Sequence, residues 1–444
     1  MTRANPSPLP ESGGQAAYRG LFPGLDGDIR KDLGALLPLI EKTFPVPARF
    51  RRTLAADVAE LSRLLTSARG ERPLSYLNRP PLLSAYLRYF LPWNLYRLCR
   101  LLPGLDLPLA PEDTVIDLGS GPLSFPIGLW LCRRDLRAIP LKFRCLDRSK
   151  TALEAGKKLF AALAPSGAPW TIQTIHGDLG AFRSPAAALV TAFNFFNEPF
   201  QAISPGNDEG QRRFAQNQAA LLAGITAQGG RLLIIEPGTP PAGRFISLLR
   251  EALISRGRPP LSPCTHPCPC PFPALLRNPA ARRGGGPAGE PGKKFFPGGN
   301  QGASPASKAK WCHFAFNTEE APAALQRLSA AAGIPKERAT LSFLLAGPQC
   351  GGIEKTKPAE QSAQTVRVIS SPFPAGRGPE IWGRYVCGET GMALLRGEKS
   401  RIEAAESGTL LTAAFTGEQD PKSGAPVCTA KNPQQPETAG IPGR

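Results

Sequence analysis

The sequence predicts an α/β protein built around a parallel sheet that helices cover on both faces. Between residues 112 and 255, short β-type runs alternate with helical segments, which is the pattern of parallel strands joined by crossover helices. Apolar residues recur at helical spacing from 29 to 110, and β-type runs follow one another after 340. A helical N-terminal region and a small β-rich C-terminal unit are therefore expected beside the sheet.

Composition indicates a globular chain with long irregular segments. Of the 444 residues, 42% are hydrophobic and 20% charged, while 49 Pro and 46 Gly make up about a fifth of the chain. The expected segments are a flexible leader (1–28), the helical region (29–110), the α/β domain (111–255), a Cys-cluster region with a mobile insertion (256–320), a helix with the β-rich unit (321–417) and a disordered tail (418–444).

The charge balance indicates a polyanionic partner. Lys and Arg outnumber Asp and Glu by 53 to 35, for a net charge of +18, which attracts either nucleic acid or an anionic membrane face. Arg predominates among the cations and favours nucleic acid, although a GC-rich genome produces the same bias. Because the N-terminus lacks an apolar run of signal-peptide length and no 18 apolar residues run uninterrupted, we expect a cytoplasmic protein without a membrane partner.

One helical segment combines arginines with aromatic residues. Arg88, Arg97 and Arg100 stand among Tyr86, Tyr89, Phe90, Trp93 and Tyr96. Nucleic-acid bases stack on such a surface. The alternative is an amphipathic helix whose aromatic residues face the core and whose arginines face water.

Acidic residues and glycines mark the ends of three predicted strands. Asp117, Gly119 and Gly121 close the first β-run and open a helix, where backbone amides receive a carboxylate or phosphate. Asp147 ends the next strand, where it would accept hydrogen bonds from ribose hydroxyls, and Asp178 ends the third.

This pattern resembles the class I S-adenosylmethionine-dependent methyltransferases, which have a Rossmann-like sheet. The resemblance implies that Asp117, Gly119 and Gly121 cradle the methionine part of S-adenosylmethionine, that Asp147 binds its ribose and that Asp178 touches its adenine. A dinucleotide dehydrogenase is the rival, but it requires a third glycine where the chain has Ser124.

The segment after the fourth β-run carries the candidate catalytic residues. Asn197-Glu198-Pro199-Phe200 is similar to the Asn-Pro-Pro-Phe motif of enzymes that methylate exocyclic amines of bases, with Glu198 in place of the first Pro. The resemblance implies that Asn197 and Glu198 orient the acceptor amine. Alternatively, both residues cap the next helix.

A cluster of thiols indicates a metal site. Four of ten Cys and two of three His fall within Cys264–Cys270 and Trp311–Phe314. Soft thiolates at short spacing favour zinc or an iron-sulfur cluster, and Cys350 and Cys387 are candidates for a further ligand.

Together with Tyr89–Trp93 and Glu236–Pro240, these motifs resemble the methyltransferase-like family associated with the small ribosomal subunit, whose eukaryotic members act in mitochondrial ribosome assembly. The resemblance implies a 4Fe-4S cluster with the ligands Cys264, Cys270, Cys312 and Cys387. The chain departs from the family in having the extra thiol of Cys268, a long spacer (272–310) and a different ending. Zinc held by Cys264, Cys270 or Cys268, Cys312 and a His is the alternative.

From these patterns we expect a protein that binds small-subunit ribosomal RNA during ribosome assembly or translation and transfers a methyl group from S-adenosylmethionine to a base. Two alternatives remain. One is a non-catalytic assembly factor that uses the methyltransferase fold and the metal cluster as an RNA-binding platform. The other is a small-molecule methyltransferase, which would explain neither the net charge nor the thiol cluster.

Overall fold

The structure is a computed structural model that describes residues 20–68, 71, 76–272, 311–351, 363–376 and 378–431. The N-terminal region is helical, as predicted. Its elements are α1 (Gly27–Thr43), α2 (Ala48–Arg51), α3 (Leu54–Leu65), α4 (Pro80–Ala85) and α5 (Leu91–Leu101), with 3-10 turns at Tyr76–Asn78 and Leu102–Gly104. The Asp26 carboxylate accepts the backbone N–H of Ile29 at 2.7 Å and so caps α1.

A π-helical segment, Tyr86–Phe90, joins α4 to α5. Such segments are rare and occur mostly at functional sites. Here the rings of Tyr86 and Phe90 are half-buried and stack with their centroids 5.8 Å apart. Arg88 and Tyr89 of the same segment are buried.

The main sheet contains five parallel strands: β1 (Thr114–Leu118), β2 (Lys142–Asp147), β3 (Thr171–His176), β4 (Ala187–Phe193) and β5 (Thr226–Pro237). Their spatial order is β3-β2-β1-β4-β5. The order reverses between β1 and β4, and ligands of open α/β sheets bind at the carboxyl ends of the strands at such a point. The predicted class, an α/β protein with a Rossmann-like parallel sheet, is confirmed.

Three later strands, β6 (Pro260–Ser262), β7 (Phe314–Asn317) and β8 (Arg338–Ala346), extend this sheet. The strand β8 lies antiparallel to β5 and pairs with both β6 and β7. The sequence analysis grouped residues 338–346 with the β-rich unit, but the run is apolar on both faces. Leu341 and Phe343 enter one core and Leu344 the other, so the run fits a covered sheet.

Helices cover both faces of the main sheet. They are α6 (Ser124–Cys132), α7 (Lys150–Leu163), α8 (Asn197–Gln201), α9 (Asp208–Gly224), α10 (Pro240–Ile254) and α11 (Ala323–Ala331), with 3-10 turns at Arg134–Leu136 and Leu179–Ala181. The N-terminal helices, α6 and α7 share one core, while α9 and α10 bury their apolar stripes in the other. Among the described residues, no helix combines the length and apolar content needed to cross a membrane.

A second sheet forms the C-terminal unit. Its strands are β9 (Ala363–Val368), β10 (Phe373–Pro374), β11 (Ile381–Gly388), β12 (Gly391–Glu398), β13 (Leu410–Gln419) and β14 (Pro426–Ala430), and α12 (Lys399–Ala404) follows β12. The order is β10-β11-β12-β14-β13-β9, and β11 also pairs with β9. Five of these strands therefore close on themselves around a small core.

Two predictions about the chain ends are wrong for the described residues. The predicted leader packs from residue 20 onward, because Phe22 stacks on Phe316 at 4.8 Å and the N–H of Leu21 donates to the carbonyl of Gly408 at 3.3 Å. The predicted disordered tail contains β14, held in the sheet by buried Val427 and Cys428. Residues 1–19 of the leader, 273–310 of the insertion and 432–444 of the tail lie outside the described residues.

Candidate functional site

The loop after β1 carries the predicted glycines. Gly119 and Gly121 have φ angles of +69° and +51°, in the left-handed region that glycine adopts without strain. A Cβ at Gly119 would lie 2.3 Å from Cδ2 of Phe195, so the loop is pressed against the segment after β4. A Cβ at Gly121 would meet nothing within 4 Å. The loop therefore has one closed side and one side that faces open space.

Asp117 lies beneath this loop. Its Oδ1 accepts a hydrogen bond from Thr191 Oγ1 at 2.8 Å, and its Oδ2 accepts one from Ser120 Oγ at 2.5 Å. The side chain is buried, and burial raises the pKa of Asp117 to about 7. The structure thus assigns both carboxylate oxygens to the interior, and a direct contact of Asp117 with the cofactor stays a prediction.

Asp117→Asn is expected to flatten the pH dependence of stability. The folded chain holds a proton on Asp117 between about pH 4 and pH 7 that the unfolded chain has released. The free energy of unfolding of the wild type therefore falls as the pH rises through this window, by up to about 1.4 kcal/mol per pH unit from this group. Urea unfolding of both proteins across the window measures the difference in slope. Equal slopes would show that the carboxyl is ionised throughout.

Asp147 joins two loops at the end of β2. Its Oδ2 accepts the N–H of Gly121 at 2.8 Å, and its Oδ1 accepts the N–H of Ser149 at 2.7 Å. Burial raises the pKa of Asp147, while these two donors oppose the change. The structure therefore brings Asp147 and the glycine loop together.

Asp178 lies at the same edge of the sheet, beyond the end of β3. Its side chain is exposed and pairs with Arg148, the residue that follows Asp147. The adenine contact that the resemblance implies for Asp178 stays a prediction.

Glu236, at the end of β5, fixes the segment that follows β4. It is fully buried. Its Oε1 accepts the backbone N–H groups of Phe195 and Phe196 at 3.2 and 2.7 Å, and its Oε2 accepts the backbone and side-chain amides of Asn197 at 3.2 and 3.0 Å. Burial raises the pKa of Glu236 to about 7, although the hydrogen bonds from these N–H donors act to lower it.

The structure separates the two predicted catalytic residues. Asn197 is buried with its side-chain amide bound to Glu236, whereas Glu198 is exposed. Burial, and then the nearby charge of Glu198, raises the pKa of Asp147, so Glu198 lies near the candidate cofactor site. The N-cap of α8 is Phe196 without a side-chain hydrogen bond, so neither predicted residue caps this helix with its side chain. Their catalytic role stays a prediction.

The sequence analysis did not select Glu236 as a site residue. The available signal was a carboxylate directly after the apolar run Leu232–Ile235, at a strand end where a charge is costly to bury. Asn194 was missed as well. It is the first residue after β4 and has a left-handed φ of +57°, which is uncommon for a residue other than glycine.

A cavity of about 310 Å³ opens beside this segment, and its size is within the ~300–1,000 Å³ of small-molecule sites. Asn194 and Glu236 line it from the strand ends, Tyr86 and Phe90 from the helical region, and Lys336 from the segment before β8. The five residues predicted to bind the cofactor are not among its lining residues, but Glu198, whose charge acts on Asp147, is. The cavity combines aromatic, polar and cationic groups.

The arginines of the predicted stacking segment have different surroundings. Arg88 and Arg100 are buried, and they donate to the carboxylates of Glu41 at 2.7 Å and Glu320 at 3.2 Å. Neither faces water, as the amphipathic alternative required. Arg97 lines the cavity together with the predicted aromatic residues Tyr86, Tyr89, Phe90 and Trp93.

The four predicted metal ligands share one region between the two sheets. Burial raises the pKa of Cys312 well above its usual range, and the charges of Cys264, Cys270 and Cys387 raise it further. Burial and the charges of Cys264 and Cys270 raise the pKa of Cys387 well above its usual range, and burial and the charge of Cys264 raise that of Cys270 to about 11. In the part of the chain that the structure describes, no group of three or more His, Cys, Asp or Glu side chains is arranged to hold a metal ion. The ligand set stays a prediction.

The other candidate ligands differ in position. Cys350 is exposed, and its thiol donates to the carbonyl of Gly257 at 3.2 Å, apart from the four thiols. Cys268 is buried, and burial and then the charge of Glu389 raise its pKa. His266 is buried with no hydrogen-bond partner for Nδ1 among the described residues, and burial lowers its pKa to about 4.

Two buried arginines lie against the four thiols. Arg250 Nε donates to Sγ of Cys264 at 3.1 Å, and its Nη2 donates to backbone carbonyls. Arg367 also donates to carbonyls; burial lowers its pKa to about 10, and the charges of Cys264 and Cys312 oppose this. Neither arginine pairs with a carboxylate of the described residues. Their charges favour thiolates or another anionic group at this position.

No protein-family model matches the chain, and no curated protein matches it. Solved structures of methyltransferases do match. A SAM-dependent methyltransferase from Thiobacillus denitrificans in complex with S-adenosyl-L-homocysteine has 15% identity and a TM-score of 0.29 over 58% of this chain and 91% of that one. A methyltransferase from Pyrococcus furiosus has 10% identity and a TM-score of 0.25 over 34% and 68% of the two chains.

TrmN from Thermus thermophilus has 18% identity and a TM-score of 0.24 over 36% of this chain and 40% of its own length. The chain thus spans less than half of that protein. Because these identities are below 25% and these TM-scores are below 0.5, the assignment of fold rests on the strand order and not on these likenesses.

Proposed function

We propose that the chain is an S-adenosylmethionine-dependent methyltransferase that acts on the ribosomal RNA of the small subunit. The observation that carries this proposal is the hydrogen bond of 2.8 Å between the N–H of Gly121 and Asp147 Oδ2. It joins the glycine loop after β1, the strand at which the order reverses, to the acidic end of β2. A cavity with aromatic and cationic walls lies at the same edge of the sheet.

The residues at these strand ends fit the cofactor. Gly121 leaves open space where a side chain would stand. The carboxylate of Asp147 ends β2, and an acidic residue at this position binds the ribose in nucleotide-binding α/β folds. When bound, S-adenosylmethionine supplies a methyl group on a positively charged sulfur. Glu236 keeps the segment after β4 in place, and Asn194 and Glu198 line the cavity that would receive the acceptor base.

The charge of the chain supports a polyanionic substrate. Among the residues that the structure describes, seven arginines are buried and make internal contacts: Arg88, Arg100, Arg244, Arg250, Arg258, Arg367 and Arg384. The net charge of +18 stays positive without them. An excess of cations outside the core attracts phosphate backbones. The assignment to the small subunit is based on the family resemblance of the Cys, Trp-Cys-His-Phe and Glu-Pro-Gly motifs.

We infer that Cys264, Cys270, Cys312 and Cys387 hold a 4Fe-4S cluster, with zinc as the alternative. The four thiol sulfurs are soft ligands that suit iron or zinc, and the buried positive charge of Arg250 beside Cys264 suits an anionic metal-thiolate group. Such a group would tie the described residues 256–272 and 311–320 to one another and to β11, which carries Cys387.

Transfer of labelled methyl from S-adenosylmethionine tests the enzymatic function. Anaerobically purified protein is incubated with small ribosomal subunits and their precursors from a strain that lacks it. We expect label in ribosomal RNA, and the Asp147→Ala variant, which loses the carboxylate bound to Gly121, should abolish it. Label in ribosomal protein or in small molecules alone would contradict the proposed substrate.

One observation favours a non-catalytic assembly factor as the second candidate. Asn197 lines the cavity, but its side-chain N–H already donates to Glu236 Oε2 at 3.0 Å, so this donor of the predicted orienting group is engaged within the protein. If S-adenosylmethionine and small subunits both bind but no stage of assembly receives label, the fold acts as a binding platform.

A further inference from the structure

Two cations that line the cavity have no carboxylate partner among the described residues. Arg97 Nη1 donates to Oδ1 of Asn94 at 3.1 Å, while Arg97 Nε is buried without a partner among the described residues. Lys336 Nζ lies 5.8 Å from the ring centroid of Tyr89 and 5.9 Å from that of Trp93. No carboxylate of the described residues acts on either cation.

This arrangement carries an electrostatic cost. Burial lowers the pKa of Lys336 to about 8, and the neighbouring charge of Arg97 lowers it further. Burial also lowers the pKa of Arg97 to about 10. An anion placed between the two side chains would offset both the desolvation and the mutual repulsion, and it would give Arg97 Nε an acceptor.

Another part of the cavity wall is aromatic. The half-buried rings of Tyr86 and Phe90 stack on each other at its wall. Planar aromatic side chains that remain accessible in a cavity are platforms for nucleobases, whose stacking does not depend on base identity.

Asn94 contacts both a cationic and an aromatic residue of the cavity. Its Oδ1 accepts from Arg97, and its Nδ2 donates to the hydroxyl of Tyr86 at 3.5 Å. Burial, and then the charges of Asp147 and Glu198, raises the pKa of Tyr86 to about 12, so its hydroxyl lies near the candidate cofactor site. The part of the cavity wall formed by Tyr86 is therefore close to Asp147.

We propose that this cavity binds one nucleotide of an RNA chain, with its phosphate between Arg97 and Lys336 and its base against Tyr86 and Phe90. The base would then lie on the side of the cavity near Asp147, with Asn194 beside the edge of the base. This inference rests on the proposed function, because it names the unit of RNA that the methyltransferase site would take. Enzymes that modify a base commonly extrude it into such a pocket.

Protection of Lys336 from acetylation tests the proposal on the intact protein. The chain, loaded with S-adenosylmethionine, is treated with limiting acetic anhydride, and acetylation at each lysine is measured by mass spectrometry. We expect nucleoside 5′-monophosphates to slow acetylation of Lys336 at least about fivefold, and inorganic phosphate or unphosphorylated nucleosides to do so much less. Lys399, whose Nζ lies 4.8 Å from the ring centroid of Trp382 in the second sheet, is the internal control and should not respond.

Substitutions of Arg97 distinguish the loss of its positive charge from a general loss of structure. Arg97→Gln should remove the protection and weaken binding of a short single-stranded RNA by about tenfold or more, the effect of one charge-assisted hydrogen bond. Arg97→Lys, which keeps the charge, should restore part of both, and Lys399→Gln should behave as wild type.

Equal protection by phosphate alone would show an anion site without a nucleotide pocket and would overturn the proposal. Absence of any protection, in protein that binds S-adenosylmethionine and methylates RNA, would overturn it as well while leaving the proposed function intact. Absence of cofactor binding in the wild type would instead overturn the proposed function.

Discussion

Gly119→Ala is expected to abolish measurable binding of S-adenosylmethionine while the chain remains folded. A residue with a Cβ pays about 1–2 kcal/mol to adopt the left-handed φ of +69°, which alone weakens binding by about tenfold if the loop leaves its conformation. The added Cβ would also overlap Phe195 Cδ2 at 2.3 Å, which forces the loop or the segment after β4 to move. Titration calorimetry with S-adenosylmethionine measures the loss.

Gly121→Ala is the matched control because it has the same type of φ, +51°, without any overlap. Because the open space at Gly121 is where the cofactor is proposed to lie, the affinity of this variant should also fall, but through the new methyl group alone, without movement of Phe195. Phe195→Ala in the Gly119→Ala background should recover part of the affinity, since it removes the overlapping ring. Wild-type affinity in Gly119→Ala would exclude this loop from the cofactor site.

Cys264→Ser is expected to remove the metal and most of the soluble protein together. Structural metal-thiolate sites in small domains contribute about 10–16 kcal/mol to folding, which equals or exceeds the total stability of about 5–15 kcal/mol of a typical domain. The substitution also takes the sulfur acceptor from the buried Arg250 guanidinium. Iron and zinc analysis of anaerobically purified protein, with its visible absorption spectrum, measures the loss and identifies the metal.

Cys350→Ser is the control for this experiment, because that thiol is exposed and apart from the other four. It should keep the metal content and the yield of the wild type. Cys268→Ser decides whether the extra thiol is a ligand. Normal iron and yield in Cys264→Ser would remove Cys264 from the ligand set.

The sequence is sufficient to predict the sheet, because its signals are local. Four of the five parallel strands end at or directly before a glycine or a carboxylate, while β4 is followed by Asn194. Asp117 and Asp147 stand at the strand ends where the pattern puts them. The strand β8 was assigned to the other unit because its partner β5 lies about a hundred residues earlier, and local periodicity carries no information about pairing.

The interior of the candidate site could be predicted only in part. The contact of Glu236 with Asn197 becomes visible only when the strands are packed together, whereas Arg97 and Asn94 are neighbours at i, i+3 spacing on α5. The aromatic segment shows the same limit. A one-dimensional pattern cannot distinguish Arg88, which has Glu41 as a partner, from Arg97, which has no carboxylate partner among the described residues.

The chain ends were mispredicted because Pro, Gly and polar residues dominate their composition. A few apolar residues, Leu21 and Phe22 at one end and Val427 at the other, are enough to hold these segments against existing cores. The average composition of a segment does not show the effect of a few such apolar residues.

The contact between Leu21 and Gly408 has a consequence for biosynthesis. A nascent chain emerges N-terminus first, so the contacts of Leu21 and Phe22 become available in stages. Phe22 can contact Arg100 early, but the ring that stacks on it, Phe316, lies 294 residues further along the chain (316 − 22), and Gly408 lies 387 residues beyond Leu21 (408 − 21). Contacts of such high sequence separation form late in folding. Truncation anywhere before Gly408 would leave this early segment without its final backbone partner.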